Sequence, residues 1–202
     1  MAVSKRHPVQ SIEKLFNAGQ FVFGENYIQE ALQKITDLPF PDIKWHFIGH
    51  LQSNKAKFAA GSFSLIHSVD SFKLAHALHV VSEKKNIIQN VLIQINAAME
   101  KQKSGIEPDQ VESLTRQVLE LPSINLSGFM CMPPFFDDPE KTRPYFKTTR
   151  ELRDMMQDKF KRAFPHLSMG MSMDFPQAIE EGATLVRIGT DIFGPRPDKV
   201  VK

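Results

Sequence analysis

Lys5 ends a short apolar run, Ala2-Val3-Ser4, at the very start of a 202-residue chain. An exposed ammonium titrates near about 10.4 and is a poor nucleophile at neutral pH, but partial burial or a cationic neighbour frees the amine to form an imine with a carbonyl compound. A solvated lysine beside Arg6 fits the same position, and spacing alone favours it. Near the other end, Met169-Gly170-Met171-Ser172 and Arg187-Ile188-Gly189-Thr190 combine glycines with hydroxyl side chains. Glycine lets a backbone approach an anion closely and Ser or Thr adds donors, so both segments hold the parts of a phosphate cradle. Glycine also simply turns a chain, and composition does not choose between the two. The run from Gly189 to Gly194 lacks Gly-x-Gly-x-x-Gly spacing, which argues against a dinucleotide.

Other reactive residue types point to less. His46 and His50 are four apart, but Trp45-His46-Phe47-Ile48 is a strand-forming run, and four residues of strand span ~13 Å, too far for one shared metal. No metal site is expected. His50 then lines a pocket mouth or satisfies a carbonyl. Cys131 has no thiolate-lowering motif beside it and reads as a buried, inert thiol. Lys159, Lys161 and Arg162 read as the solvated face of a helix.

Short β-branched or aromatic runs alternate with amphipathic stretches along the whole chain, the pattern of βα repetition. Strands are predicted at 2–4, 21–23, 44–48, 65–68, 90–96, 126–130, 167–170 and 185–188, and helices at 9–18, 26–37, 53–60, 72–85, 108–120, 140–163 and 175–181. Pro108 opens a first turn, and Gly19, Gly61 and Gly182 stand where left-handed helix caps belong. Eight such units predict an α/β fold, a (β/α)8 TIM-type barrel forming one domain over 1–202, near the lower length limit for that architecture. Little or no eighth helix is expected. Barrels of this kind carry function at the carboxyl ends of their strands. Here those ends hold Lys5, Gly24-Glu25-Asn26, Gly49-His50, Val69-Asp70, Asn96, Met130, Ser172, and Arg187 with Gly189 and Thr190. The loops after strands seven and eight, where such barrels bind phosphate, are the two glycine segments.

Composition bounds the partners. With 42% hydrophobic and 24% charged residues the sequence suits a globular domain. Lys+Arg of 25 against Asp+Glu of 23 leaves a formal charge of +2, too balanced for a protein built to neutralise nucleic acid or anionic lipid. One cysteine precludes an internal disulfide and fits a reducing cytoplasm. The longest apolar runs fall far short of the ~20 residues that span a bilayer, and no secretory signal is visible.

The blocks Ala2-Val3-Ser4-Lys5, Phe23-Gly24-Glu25-Asn26-Tyr27, Trp45-His46-Phe47-Ile48-Gly49-His50-Leu51-Gln52-Ser53-Asn54-Lys55, His67-Ser68-Val69-Asp70-Ser71, Lys103-Ser104-Gly105, Leu167-Ser168-Met169-Gly170-Met171-Ser172-Met173-Asp174 and Val186 through Gly194 closely resemble the pyridoxal phosphate homeostasis proteins, single-domain relatives of the alanine racemase barrel. The resemblance covers essentially the whole chain. It implies a barrel that binds pyridoxal 5′-phosphate (PLP), with Lys5 as the Schiff-base lysine. Ser172 with the backbone of Gly189 and Thr190 would hold the phosphate, Arg187 would face the pyridine nitrogen, and Asn26, His50 and Asn96 would line the pocket. Arginine opposite that nitrogen keeps it unprotonated and weakens the ring as an electron sink. Related racemases add a tyrosine from a second domain, whereas only Tyr27 and Tyr145 occur here, in other contexts.

The resemblance therefore implies a carrier and buffer of PLP that hands it to apo-enzymes, with no catalytic residues; composition adds a cytoplasmic location and no metal, nucleic acid or membrane partner, and the lack of a long exposed apolar helix favours a monomer. An amino-acid racemase or decarboxylase using the same cofactor is the alternative, and a phosphate-sugar isomerase or lyase a third reading. Lys55, Lys57 and Lys103 could form a second set of reversible imines, but ordinary surface lysines explain them more simply. Family members carry a helical segment and longer first strand ahead of the lysine motif, which this sequence lacks. That predicts exposed apolar surface around Val186 and Ile188, and either a less stable barrel or a gene start lying upstream.

Overall fold

The computed structural model describes residues 1–100 and 102–194. Eight parallel strands run in chain order around one sheet: β1 (Ala2–Val3), β2 (Val22–Glu25), β3 (Lys44–Phe47), β4 (Leu65–Val69), β5 (Gln89–Ile95), β6 (Ile124–Cys131), β7 (His166–Met171) and β8 (Leu185–Arg187). A single parallel bridge, Ala2 to Ile188, joins the last strand to the first, with Val3 N–H donating to the Ile188 carbonyl at 2.7 Å. The predicted (β/α)8 barrel is what forms.

The helices are α1 (Val9–Asn17), α2 (Ile28–Asp37), α3 (Ala56–Ala59), α4 (Phe72–Lys84), α5 (Val111–Leu119), α6 (Arg143–Phe160), α7 (Phe175–Glu180) and the four-residue α8 (Thr190–Phe193). Gly19, Gly61 and Gly182 all take positive φ at helix ends, as their placement predicts. Some boundaries move for local reasons. Helix α2 starts at Ile28 and not at 26, because Asn26 turns into the barrel mouth and Tyr27 is extended. Helix α6 stops at Phe160, three residues early: Lys161 adopts a left-handed φ of 49°, and Phe164 drops into the core against Phe129. The segments at Ser53–Lys55, Pro108–Gln110 and Pro139–Thr142 form 3-10 turns, two of them opened by proline.

Side chains alternate across each strand, so the sheet has two differently filled faces. Toward the helices lies the large apolar core, containing Phe23, Ile66, Val91, Ile93, Phe129 and Leu167. A separate small cluster of Leu65, Leu92 and Met130 with Leu185 fills part of the lumen. Beside it, His46, His67, Ser168 and Arg187 bond to one another across strands. Val186 and Ile188, where loss of cover is predicted, are half-buried. Among the described residues no helix is long and apolar enough to cross a membrane.

Candidate active site at the barrel mouth

The carboxyl ends of β1, β2, β6, β7 and β8 surround a cavity of about 250 Å³, near the small end of ligand clefts, about 300–1,000 Å³. One substituted ring fits such a space better than a dinucleotide. Lys5 enters from just beyond β1 and Asn26 from just beyond β2, while Ser172, Gly189 and Thr190 come from the loops after β7 and β8. Val3, Ile48 and Met130 supply apolar walls. Six of the eight predicted site residues therefore share one cavity: Lys5, Asn26, Ser172, Arg187, Gly189 and Thr190.

Two do not join them. His50 is exposed and lines a neighbouring cavity of about 570 Å³, with Asn26 on the wall common to both. Its ring sits 3.2 Å from Ser104 Oγ and 3.8 Å from an Asp70 carboxylate oxygen. Asn96 is spent on its own loop: its amide donates to the Glu100 carbonyl at 2.9 Å, and its Oδ1 accepts from the Glu100 N–H at 3.2 Å. A strand-end position thus brings a residue to the rim without aiming it inward.

Arg187 is buried, at 4% exposure, and burial lowers its pKa from the ordinary arginine value. One guanidinium nitrogen donates to Ser168 Oγ at 2.8 Å and another to the Cys131 carbonyl at 2.9 Å. Behind Ser168 the chain of bonds continues into the lumen, with His67 Nδ1 2.8 Å from Ser168 Oγ and His46 Nδ1 3.0 Å from His67 Nε2. Burial holds His67 well below its ordinary value and His46 down at about 4, so both rings are neutral near pH 7. Arginine only donates, so the Ser168 hydrogen is free to serve His67 Nδ1, and His67 Nε2–H then serves His46. His46 is therefore a core histidine, not a metal ligand, and among the described residues no group of three potential ligands forms a metal site.

Asn26 is held by a close approach. Its carbonyl packs so tightly on Gly49 that a Cβ there would lie 2.1 Å from the oxygen. The Asn26 Oδ1 is buried and has no hydrogen-bond partner among the described residues, an acceptor waiting for a donor at the cavity edge. Asp174, not singled out by the sequence reading, also lines the cavity. Its carboxylate accepts from the Met171 N–H at 2.6 Å, bracing the loop that presents Ser172, and burial pushes its pKa up. Phe135, Phe136 and Met132 form the outer rim. Phe135 and Phe136 belong to the proline-rich run Pro133-Pro134-Phe135-Phe136-Asp137-Asp138-Pro139, whose composition marks a loop but does not say that it folds over the mouth.

The arrangement sets a primary amine on one side, hydroxyl and backbone donors on another, and a fixed cation beside an apolar wall. It suits a planar ring bearing both a carbonyl and a phosphate. The sequence profile described as alanine racemase, N-terminal domain, matches residues 1–197. The pyridoxal phosphate homeostasis protein of Aquifex aeolicus is 48% identical over 196 residues, covering 97% of this chain and 86% of that protein. Among solved structures, PipY of Synechococcus elongatus with PLP bound superposes with a TM-score of 0.90 at 36% identity, covering 96% of this chain and 91% of that one. Alanine racemase of Clostridium difficile superposes with a TM-score of 0.80 at 15% identity, over 98% of this chain and 52% of that one, a likeness of fold alone.

Proposed function

We propose, since this chain belongs to the pyridoxal phosphate homeostasis protein family, that it binds PLP at the barrel mouth and carries it for vitamin B6 homeostasis. The observation that carries this reading is that Lys5 shares one small cavity with Ser172, Gly189, Thr190 and Arg187. The donor set fits the group, and the buried acceptor on Asn26 fits a polar substituent at the cavity edge. PLP would supply an aldehyde, a group that condenses reversibly with a primary amine with loss of one water.

Lys5 provides that amine. Ser172 would donate its hydroxyl, and Gly189 and Thr190 their backbone N–H groups, to the phosphate. Arg187 would set its guanidinium toward the ring nitrogen and oppose its protonation, which would handicap carbanion chemistry. Of the two tyrosines, Tyr145 stacks on Phe136 with centroids 6.1 Å apart, and Tyr27 lies under the Arg6 guanidinium; neither lines the cavity. Both facts favour a carrier over a racemase or decarboxylase. On this reading the chain is one PLP-binding domain, residues 101 and 195–202 of the expected 1–202 span lying outside the described residues, and a cytoplasmic monomer whose recipients are apo forms of PLP-dependent enzymes.

Adding PLP to the purified protein should produce the yellow band of a lysine imine, and borohydride followed by peptide mapping should fix the label on Lys5. Lys5→Ala should abolish the band and reduce retention on gel filtration. Unchanged spectrum and retention in that variant would overturn the reading. Multiple-turnover entry of solvent deuterium at the α-carbon of an added amino acid would favour the racemase instead.

A further inference from the structure

Strand β2 runs on to Glu25, past the predicted end at 23, and the reason leads back to Lys5. Glu25 lies within the strand, is fully buried, and accepts the Ser4 hydroxyl at 2.6 Å and the Lys34 ammonium at 2.8 Å on the same oxygen, Oε1. Burial pushes the Glu25 carboxyl up, while the Lys34 ammonium and the Ser4 hydroxyl pull the other way. Lys34 reaches inward from α2, only 6% exposed, and donates also to the Ser4 carbonyl at 2.7 Å and to Glu30 Oε1 at 2.6 Å. Glu30 Oε1 in turn accepts the backbone N–H of Arg6 at 2.5 Å.

The peptide groups before and after Lys5 are thus both gripped by one helix. Arg6 has a φ of 64°, a left-handed conformation that a residue with a Cβ keeps only where its surroundings over-determine it. The clamp supplies that determination. A buried ion pair contributes little net stability compared with well-packed apolar groups and is best explained by what it specifies.

We propose that Lys34, with Glu25 and Glu30, is a positioning device that fixes the backbone on both sides of Lys5 and so aims its amine into the cavity. This rests on the reading of Lys5 as the amine that holds PLP. A lysine side chain has several rotatable bonds, so anchoring its Cα and neighbouring peptides removes much of the search before reaction, and ~1 Å of misplacement can cost as much as about 100-fold in rate.

The test compares wild type with the double variant Glu25→Gln/Lys34→Met, which removes the charges together, with Lys34→Arg as the conservative variant, and with Glu30→Gln, which loosens the Arg6 contact from a half-buried position. Two readouts are taken on variants that melt cooperatively. One is the growth rate of the imine band after mixing with PLP. The other is the labelling rate of Lys5 by formaldehyde and cyanoborohydride in cofactor-free protein, followed against pH by mass spectrometry. The double variant should bind PLP roughly tenfold more slowly or worse and show an altered Lys5 labelling profile, Lys34→Arg should recover most of the rate, and Glu30→Gln should fall between. A folded double variant with wild-type labelling and wild-type rates would overturn the clamp. If the double variant does not fold, Glu30→Gln decides, and wild-type values there overturn the proposal equally. Failure of the PLP reading itself is distinguishable, because Lys5→Ala would then keep the spectrum whereas the labelling of Lys5 in cofactor-free protein still reports on the clamp.

Discussion

Arg187, Ser168, His67 and His46 form a continuous hydrogen-bonded line through the barrel lumen, and at the scale of single residues it is the feature with the largest consequence for pH. His46 falls from an ordinary 6.5 to about 4 because its ring is buried, and His67 is shifted the same way. A depressed histidine pKa means that below pH 6.5 the unfolded chain binds more protons than the folded one. Stability conferred by the neutral rings is therefore complete above about pH 6.5 and is lost as pH falls toward 4. For His46 alone the loss amounts to roughly 3 kcal/mol. Urea titrations at pH 7, 5.5 and 4.5 should show this acid decline; a flat profile would mean that the rings are already solvated in the native state. Cys131 gives a second residue-scale expectation. Its thiol is 1% exposed and burial raises its pKa to about 11, so a disulfide reagent at pH 8 should label it only after denaturant is added.

At the scale of elements, one loop bears on how the site is presented and one helix end bears on stability alone. The loop after β3 passes so close to the Asn26 carbonyl that only glycine fits at 49. Gly49→Ala should cost about 1–3 kcal/mol by overpacking and should weaken PLP binding through Asn26, measured by chemical denaturation and by absorbance titration. Helix α6 offers the opposite sign. Lys161 is exposed and carries a φ of 49° at the helix end, where glycine has no Cβ to strain. Lys161→Gly should stabilise the protein by about 1 kcal/mol in urea melts without changing the imine spectrum. Element types were legible from the periodicity of apolar residues, and helix stops from three glycines. The α6 stop was not, because a lysine in the left-handed region leaves no mark in sequence; it is forced there by the burial of Phe164.

Across the whole molecule the barrel is unevenly tied. Strands β5 and β6 align over seven residue pairs, whereas β1 meets β2 over two and meets the end of β8 through one bridge. Native-state hydrogen exchange should therefore find the slowest amides in β5 and β6, with Val3 and Ile188 exchanging earlier through local opening of the seam. If PLP is held as proposed, by Lys5 on one side of that seam and by Gly189 and Thr190 on the other, it should slow exchange at Val3 and Ile188 more than at β5. Equal protection of all strands by the cofactor would count against a site that straddles the closure.

Local pattern was enough to determine the number and order of the βα units, the barrel they close into, the amine near one end, and the glycine-hydroxyl segments near the other, since propensity and periodicity are properties of neighbouring residues. Which strand-end residues face a common cavity was decided only by tertiary structure. Lys5, Asn26, Ser172 and Arg187 converge there, while His50 turns to the adjoining cavity and Asn96 closes its own loop. Stagger between strands and the paths of the loops fix those directions, and both follow from contacts between residues far apart in the chain. The clamp behind Lys5 belongs to the same class: Glu25 lies just past the strand predicted at 21–23, and it becomes a buried strand residue because Ser4 and Lys34 arrive from elsewhere to neutralise and bond it.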